Sequence, residues 1–219
     1  MSIRILLADD HQMVREGIRS LLGKESDIEI VGEAEEGRKA VRLARKLQPD
    51  VVIMDITMPN LNGVEAARQI VGEYPDIKII ALSMHFSRIF VLNMLRAGAV
   101  GYILKGDSSE ELIEGVRTVS EGGAYFSPKA AKTVTEVLAN PMTNSPLDIL
   151  TPREREVFQL ICEGKNTKQM ALELHVSTKT IEANRRKIME KLDTGSIPEL
   201  VILAIENGVI SIERQEQER

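Results

Sequence analysis

The chain has 219 residues, 43% of them hydrophobic and 28% charged, the balance of an ordinary globular protein, which excludes a disordered chain. The formal charge of −5 excludes an indiscriminate nucleic-acid binder, and the single cysteine, Cys162, excludes an intrachain disulfide and a cysteine-cluster metal site. No run approaches the roughly 18 apolar residues of a membrane span, and Ile5-Leu6-Leu7-Ala8 meets Asp9 and Asp10 too soon for a signal peptide, so a cytoplasmic protein with no membrane partner is expected.

In residues 1–124 short apolar runs alternate with longer helical patterns, the rhythm of a parallel sheet wrapped by helices. Strands are predicted at Ile3 to Ala8, Ile28 to Val31, Val51 to Met54, Ile77 to Leu82 and Gly101 to Leu104. Helices are predicted near 13–23, 37–47, 63–72, 87–97 and 109–121, the last opened by a Ser108–Glu111 capping box. Five βα units result. Residues 125–148 read as a linker with a helix possible from Pro128 to Leu138, because Asn140 to Pro146 holds turn formers and no charge. Thr151-Pro152-Arg153-Glu154 then opens an all-helical region, 149–212, with an N-cap threonine, proline at the first helical position and glutamate at the third. It breaks at Gly164-Lys-Asn166, at His175-Val-Ser177 and at Thr194-Gly195, and the charged tail 213–219 is expected to fray.

Polar residues stand at four of the predicted strand ends: Asp9 and Asp10, Asp55, Ser83, and Lys105. In an open parallel sheet these ends share one edge, so the groups converge on one crevice. Three crowded carboxylates need a compensating cation, and oxygen ligation suits a hard ion such as Mg²⁺. With Lys105 opposite, such a site can stabilise a phosphoryl group passing to a carboxylate. An Asp-Asp pair after a strand can equally cap a helix. Tyr102 in the last strand reads as core, and His11 as a ligand, a phosphoryl carrier or a solvated turn residue. Thr57 and His85 flank the crevice and could tune water access.

In the last region the segments Lys168 to Leu174 and Thr178 to Leu192, joined at His175-Val176-Ser177, have the dimensions of a helix-turn-helix. With Ile181, Ile188 and Leu192 inward, Lys179, Ala183, Arg186, Lys187 and Glu190 share the outer face, and Glu182 lies on its flank. Residues 179–191 hold Lys179, Arg185, Arg186, Lys187 and Lys191 against Glu182 and Glu190, a local basic stripe. Arg186 can pair with guanine, Glu182 with cytosine and Ala183 with a thymine methyl. Lys179, Arg185, Lys187 and Lys191 suit phosphates, and Thr180 joins the contact set. Leu200 to Ile205 is apolar on every side of a helix opened by Ser196 and Glu199, so one face is expected on the recognition helix and another, through Leu200, Val201, Leu203 and Ala204, on a second subunit.

The Asp9-Asp10 pair, Asp55 followed by Met58-Pro59, Ser83, Tyr102 and Lys105 together resemble the receiver domains of response regulators. Leu150 to Glu156, Gly164, Ala171, Ser177, Thr180-Ile181 and Lys191-Leu192 resemble the LuxR-type helix-turn-helix. The whole pattern is similar to the NarL/FixJ class, with Asn184 where that class often has histidine. The resemblance implies a flavodoxin-like sheet of order 2-1-3-4-5 followed by a four-helix domain. It also implies phosphotransfer from a sensor histidine kinase to Asp55, Mg²⁺ held by Asp9, Asp10 and Asp55, and phosphoryl contacts from Ser83 and Lys105. Ser83 and Tyr102 would form the switch pair, and a homodimer, at least when phosphorylated, would bind double-stranded DNA. In the unphosphorylated form the receiver would cover the recognition helix. No enzymatic turnover is implied beyond the receiver's own phosphoryl transfer and dephosphorylation.

Overall fold

Apolar strand residues alternate between two faces, and in the first part of the chain both faces are covered. The computed structural model describes residues 2–84, 88–139 and 145–210. His85, residues 140–144 of the expected linker and the tail 213–219, which entered the sequence reading, lie outside the described residues. The chain divides into two compact units, Met1–Met142 and Thr143–Arg219.

The first unit runs β1 (Ile3–Ala8), α1 (Gln12–Leu22), β2 (Ile28–Ala34), α2 (Gly37–Leu47), β3 (Val51–Asp55), α3 (Gly63–Glu73), β4 (Lys78–Ser83), α4 (Arg88–Arg96), β5 (Gly101–Leu104), α5 (Ser109–Ser120), β6 (Tyr125–Phe126) and α6 (Pro128–Ala139). Among the described residues the strands form one sheet of order β2-β1-β3-β4-β5-β6, with every pairing parallel. Ile5, Leu7, Val51, Ile53, Ile80, Leu82 and Ile103 pack against Leu22 of α1 and Leu112, Val116 and Val119 of α5. Leu6, Val52, Met54, Ile79 and Ala81 face the other layer, with Ala40 and Ala44 of α2, Ile70 of α3, Val91 and Met94 of α4, and Val134 and Val137 of α6. A sheet buried on both faces explains why its strands read as nearly continuous apolar runs. The order reverses between β1 and β3, and such a switch point opens a crevice at the strand carboxyl ends.

The sheet has one strand more than the five expected. Two-residue β6 is too short to carry a period, and it is fixed by tertiary bonding: the Tyr125 amide donates to the Val100 carbonyl (3.1 Å) and the Ser127 amide to Tyr102 (3.0 Å). Residues 125–139, read as linker with a possible helix, thus pack on the first unit as β6 and α6, with Ala130, Val134 and Val137 buried there. Pro146–Ile149 forms a 3₁₀ turn that buries Leu147 in the second unit's core. β2 also extends past the expected Val31 to Ala34, across a register shift between Ile5 and Leu6.

The second unit continues with α7 (Pro152–Cys162), α8 (Thr167–Glu173), α9 (Thr178–Lys191) and α10 (Ile197–Glu206) around Val157, Phe158, Leu160, Met170, Ile181, Ile188, Leu200 and Ala204. The Thr151–Glu154 capping box is present. Left-handed residues end three helices in succession: Gly164 (φ 77°), His175 (φ 52°) and Asp193 (φ 49°). The first two coincide with expected breaks, and the third falls one residue before Thr194-Gly195. No helix among the described residues is long and apolar enough to cross a membrane.

Candidate functional site

Asp9 and Asp55 reach the crevice from the ends of β1 and β3, and both are nearly inaccessible, at 2% exposure each. Lys105, just past β5, places its ammonium 2.8 Å from Asp9 Oδ2 and 2.8 Å from Asp55 Oδ2. The Asp9 Oδ1 atom accepts the His11 amide (2.8 Å), and the N-cap of α1 is His11, with no side-chain cap bond, so the acidic pair does not cap this helix. Asp10 is more open, its side chain 32% exposed, and His11 Nδ1 lies 2.9 Å from its Oδ1 and 3.3 Å from Asp9 Oδ1. The imidazole therefore leans onto the acidic pair instead of standing free in solvent.

One donor atom from each of Asp9, Asp10, His11 and Asp55 lies within 4.8 Å of all the others. Opposite ligands of a six-coordinate Mg²⁺ stand about 4.2 Å apart, twice a ~2.1 Å bond, so the carboxylates suit one such ion with little movement. The burial of Asp55 raises its carboxyl to about 7, the charges of Asp9 and Asp10 acting in the same direction and Lys105 against them. For Lys105 burial works against the charged form, but the Asp55 charge and hydrogen bonds to Asp55 and Asp9 outweigh it, and its pKa is raised. The site thus holds more negative charge than one lysine neutralises.

Ser83 is buried at the end of β4, and the hydroxyl of Tyr102 on β5 is hydrogen-bonded to it. Burial pushes that phenol up to about 12, so it remains a donor. The ring of Tyr102 lies in the apolar layer while its hydroxyl meets Ser83. Thr57 is half-buried with its amide 3.5 Å from Asp55 Oδ1. The loop after Asp55 is held by close backbone approach, since a Cβ at Gly63 would stand 1.8 Å from the Asp55 carbonyl oxygen and one at Gly37 2.0 Å from that of Leu61.

Two contributors escaped the sequence reading. Arg15 of α1 donates to the Asp9 carbonyl at 2.6 Å, and Asp107 accepts the Leu104 amide at 2.8 Å across the turn that carries Lys105. Neither belongs to a spaced pattern. Each is recognisable only once strand ends and helix starts are placed in space.

In the second unit α8 and α9 pack as a helix-turn-helix, with Ile181 and Ile188 buried. Lys179, Thr180, Glu182, Ala183, Arg186 and Lys187 are exposed along α9. Arg185 is half-buried, with Nη1 3.4 Å from Thr167 Oγ1. Lys191 is exposed as well, and its ammonium lies 2.7 Å from Glu154 Oε2 and 3.3 Å from the Ile149 carbonyl oxygen. Asn184 donates to the Thr180 carbonyl (2.9 Å), turning its amide into its own helix.

The set Leu200, Val201, Leu203 and Ala204 needs correction as a subunit surface. Leu200 and Ala204 have no exposed area and pack in the core, so they have nothing left to offer a partner, and Leu203 packs against the same core. α10 lies on α7 and shares one buried core with Ile181 and Ile188 of the recognition helix, and its outward apolar residue is Ile202, 54% exposed, beside half-buried Val201 and Ile205.

Residues 5–117 match the response regulator receiver domain, and residues 148–204 match the luxR family of bacterial regulatory proteins. Transcriptional regulatory protein DegU of Brevibacillus brevis is 36% identical, over 96% of this chain and 96% of its own. Oxygen regulatory protein NreC of Staphylococcus carnosus is 40% identical, over 95% of this chain and 99% of its own. Among solved structures, a LuxR-family two-component response regulator from Aurantimonas sp. SI85-9A1 is 35% identical with a TM-score of 0.60, covering 64% of this chain and all of its own. RcsB of Salmonella enterica serovar Typhimurium, solved bound to promoter rprA in the presence of the phosphomimetic BeF₃⁻, is 26% identical with a TM-score of 0.57, covering 92% of this chain and 98% of its own. The crevice chemistry of the first unit, the helix-turn-helix of the second and these full-length similarities agree: the chain belongs to the two-component response regulators of the NarL/FixJ class, a receiver domain joined to a LuxR-type DNA-binding domain.

Proposed function

We propose that Asp55 is the phosphoryl acceptor for a sensor histidine kinase and that its phosphorylation switches dimeric binding to a two-fold DNA site. The observation that carries this reading is Lys105, whose buried ammonium bridges Asp9 and Asp55 at 2.8 Å on each side, with Asp10 beside them. A carboxylate oxygen of Asp55 forms the new P–O bond as the P–N bond to the kinase imidazole breaks, and Lys105 opposes the charge on the equatorial oxygens. Asp9, Asp10 and Asp55 would hold Mg²⁺, which when bound neutralises charge on the phosphoryl oxygens. Ser83, at the end of the strand paired with that of Asp55, would exchange its Tyr102 partner for a phosphoryl oxygen, which frees the phenol to move.

On α9 the exposed Lys179, Arg186 and Lys187 supply phosphate and guanine contacts, and Thr180, Glu182 and Ala183 lie on the same accessible surface. Val201, Ile202 and Ile205 of α10 form the pairing face of the dimer, an isologous contact that matches a two-fold site. RcsB, a structural neighbour, has been solved bound to a promoter in the presence of a phosphomimetic, which is consistent with this reading. A DNA partner fits the expected cytoplasmic location.

The test is selection from random-sequence DNA by the intact protein with Mg²⁺ and beryllofluoride, beside Asp55→Asn treated identically. Enrichment of a two-fold symmetric site, stronger with beryllofluoride in the native protein and indifferent to it in the variant, is expected. No enriched sequence in either condition, with beryllofluoride still bound, would overturn the DNA reading.

A further inference from the structure

The turn that carries Lys105 is bonded to the helix that leads toward the second unit. Asp107 has a side chain only 1% exposed, and both of its carboxylate oxygens are engaged. Oδ2 accepts the Leu104 amide at 2.8 Å, and the Asp107 amide returns a bond to the Leu104 carbonyl at 3.0 Å, so the residue closes the turn 104–107 on itself. Oδ1 pairs at 2.8 Å with the ammonium of Lys129, in the first turn of α6. The residue preceding α6, Ser127, is fully buried. Its amide donates to the Tyr102 carbonyl at 3.0 Å and its carbonyl accepts the amides of Ala130 (2.8 Å) and Ala131 (2.9 Å). The start of α6 is therefore joined at two points to one short stretch, 102–107, which also supplies Lys105 to the acceptor and Tyr102 to Ser83.

We infer that Asp107 is a positioning residue that couples occupancy of the Asp55 site to the seating of α6, through the turn on one side and Lys129 on the other. The inference rests on the phosphoryl-acceptor reading of Asp55. If seating α6 fixes the turn, it also fixes the backbone from which Lys105 reaches Asp55. A ligand that draws Lys105 must then alter how firmly α6 is held, and loosening α6 must alter ligand affinity by the same factor. The pair is half solvated on its Lys129 side, so the coupling is modest, about two- to fivefold.

The full-length protein is titrated with beryllofluoride in the presence of Mg²⁺, followed by ¹⁹F resonance, and hydrogen exchange is measured across 127–139 with and without it. Expected are a change in α6 exchange when beryllofluoride binds the native protein, and an affinity shift of about two- to fivefold in Lys129→Ala with that exchange response lost. Lys129→Arg should restore both, and Asp107→Asn combined with Lys129→Ala should shift the affinity no further than Asp107→Asn alone. Faster α6 exchange in Lys129→Ala with unchanged beryllofluoride affinity would reduce Asp107–Lys129 to a structural pair and overturn the inference. So would an α6 indifferent to beryllofluoride in the native protein. Failure of the native protein to bind beryllofluoride would instead bring down the acceptor reading, and the coupling with it.

Discussion

Asp55 binds its proton more tightly in the folded chain than in the unfolded one, because burial and the neighbouring Asp9 and Asp10 disfavour its charge. With the folded value raised to about 7 from 3.8, the stability linked to this group is complete below about pH 4 and is lost as the pH rises toward 7. Asparagine has no charge to bury. Asp55→Asn should therefore raise the unfolding free energy in metal-free buffer at pH 8 by on the order of 2 kcal/mol, with the gain vanishing near pH 4. Thermal melts at the two pH values check this, and equal midpoints at pH 8 would mean that Lys105 compensates the carboxylate completely. A site poised this way is destabilised in its resting form, so a divalent ion or a phosphoryl-bound state gains what the bare protein lacks.

At the scale of elements, α9 divides its basic residues between two tasks. Lys187 and Lys191 are both exposed, but the Lys191 ammonium is bound to Glu154, which is itself the third residue of the α7 capping box and only 4% exposed. Lys187→Ala should lower the slope of log affinity against log salt by about 1, and Lys191→Ala should leave that slope nearly unchanged while costing about 1 kcal/mol of stability. Equal slope changes for the two would show that Lys191 leaves Glu154 to reach DNA. The strand ends with their carboxylates, lysine and serine, and the helix starts at Ser108 and Thr151, were legible because apolar runs and capping residues are local signals. What was not legible was set by distance in the chain. The Glu154–Lys191 pair, the Lys129–Asp107 pair and the pairing of β6 with β5 each join residues with no shared local pattern. Leu200 and Ala204 failed as surface residues for a related reason: six apolar residues in a row hide which side of α10 meets α7, and only packing decides it.

At the scale of the whole molecule, the place where the first unit ends can be tested directly. Ala130, Val134 and Val137 of α6 are buried against the same apolar layer as α4, so a fragment ending at 124 uncovers that layer whereas one ending at 142 does not. The longer fragment should be more stable by roughly 2–4 kcal/mol, from the apolar area that α6 covers. Denaturant melts of the two fragments check it, and coincident curves would make α6 dispensable to the fold. The all-parallel sheet has a different consequence, one of time. No strand pairing in it is made by a hairpin; Ile5 finds Val51 and Val51 finds Lys78 only after intervening helices have been traversed. The second unit is built from helices alone, with α8 on its chain neighbour α9 and α10 closing back on α7. Distant pairing is slow and local helix packing is fast, so during refolding the second unit should be complete while the sheet is still assembling. A ribosome delivers the sheet first and the helices last, so synthesis gives the slower unit a head start that dilution from denaturant does not.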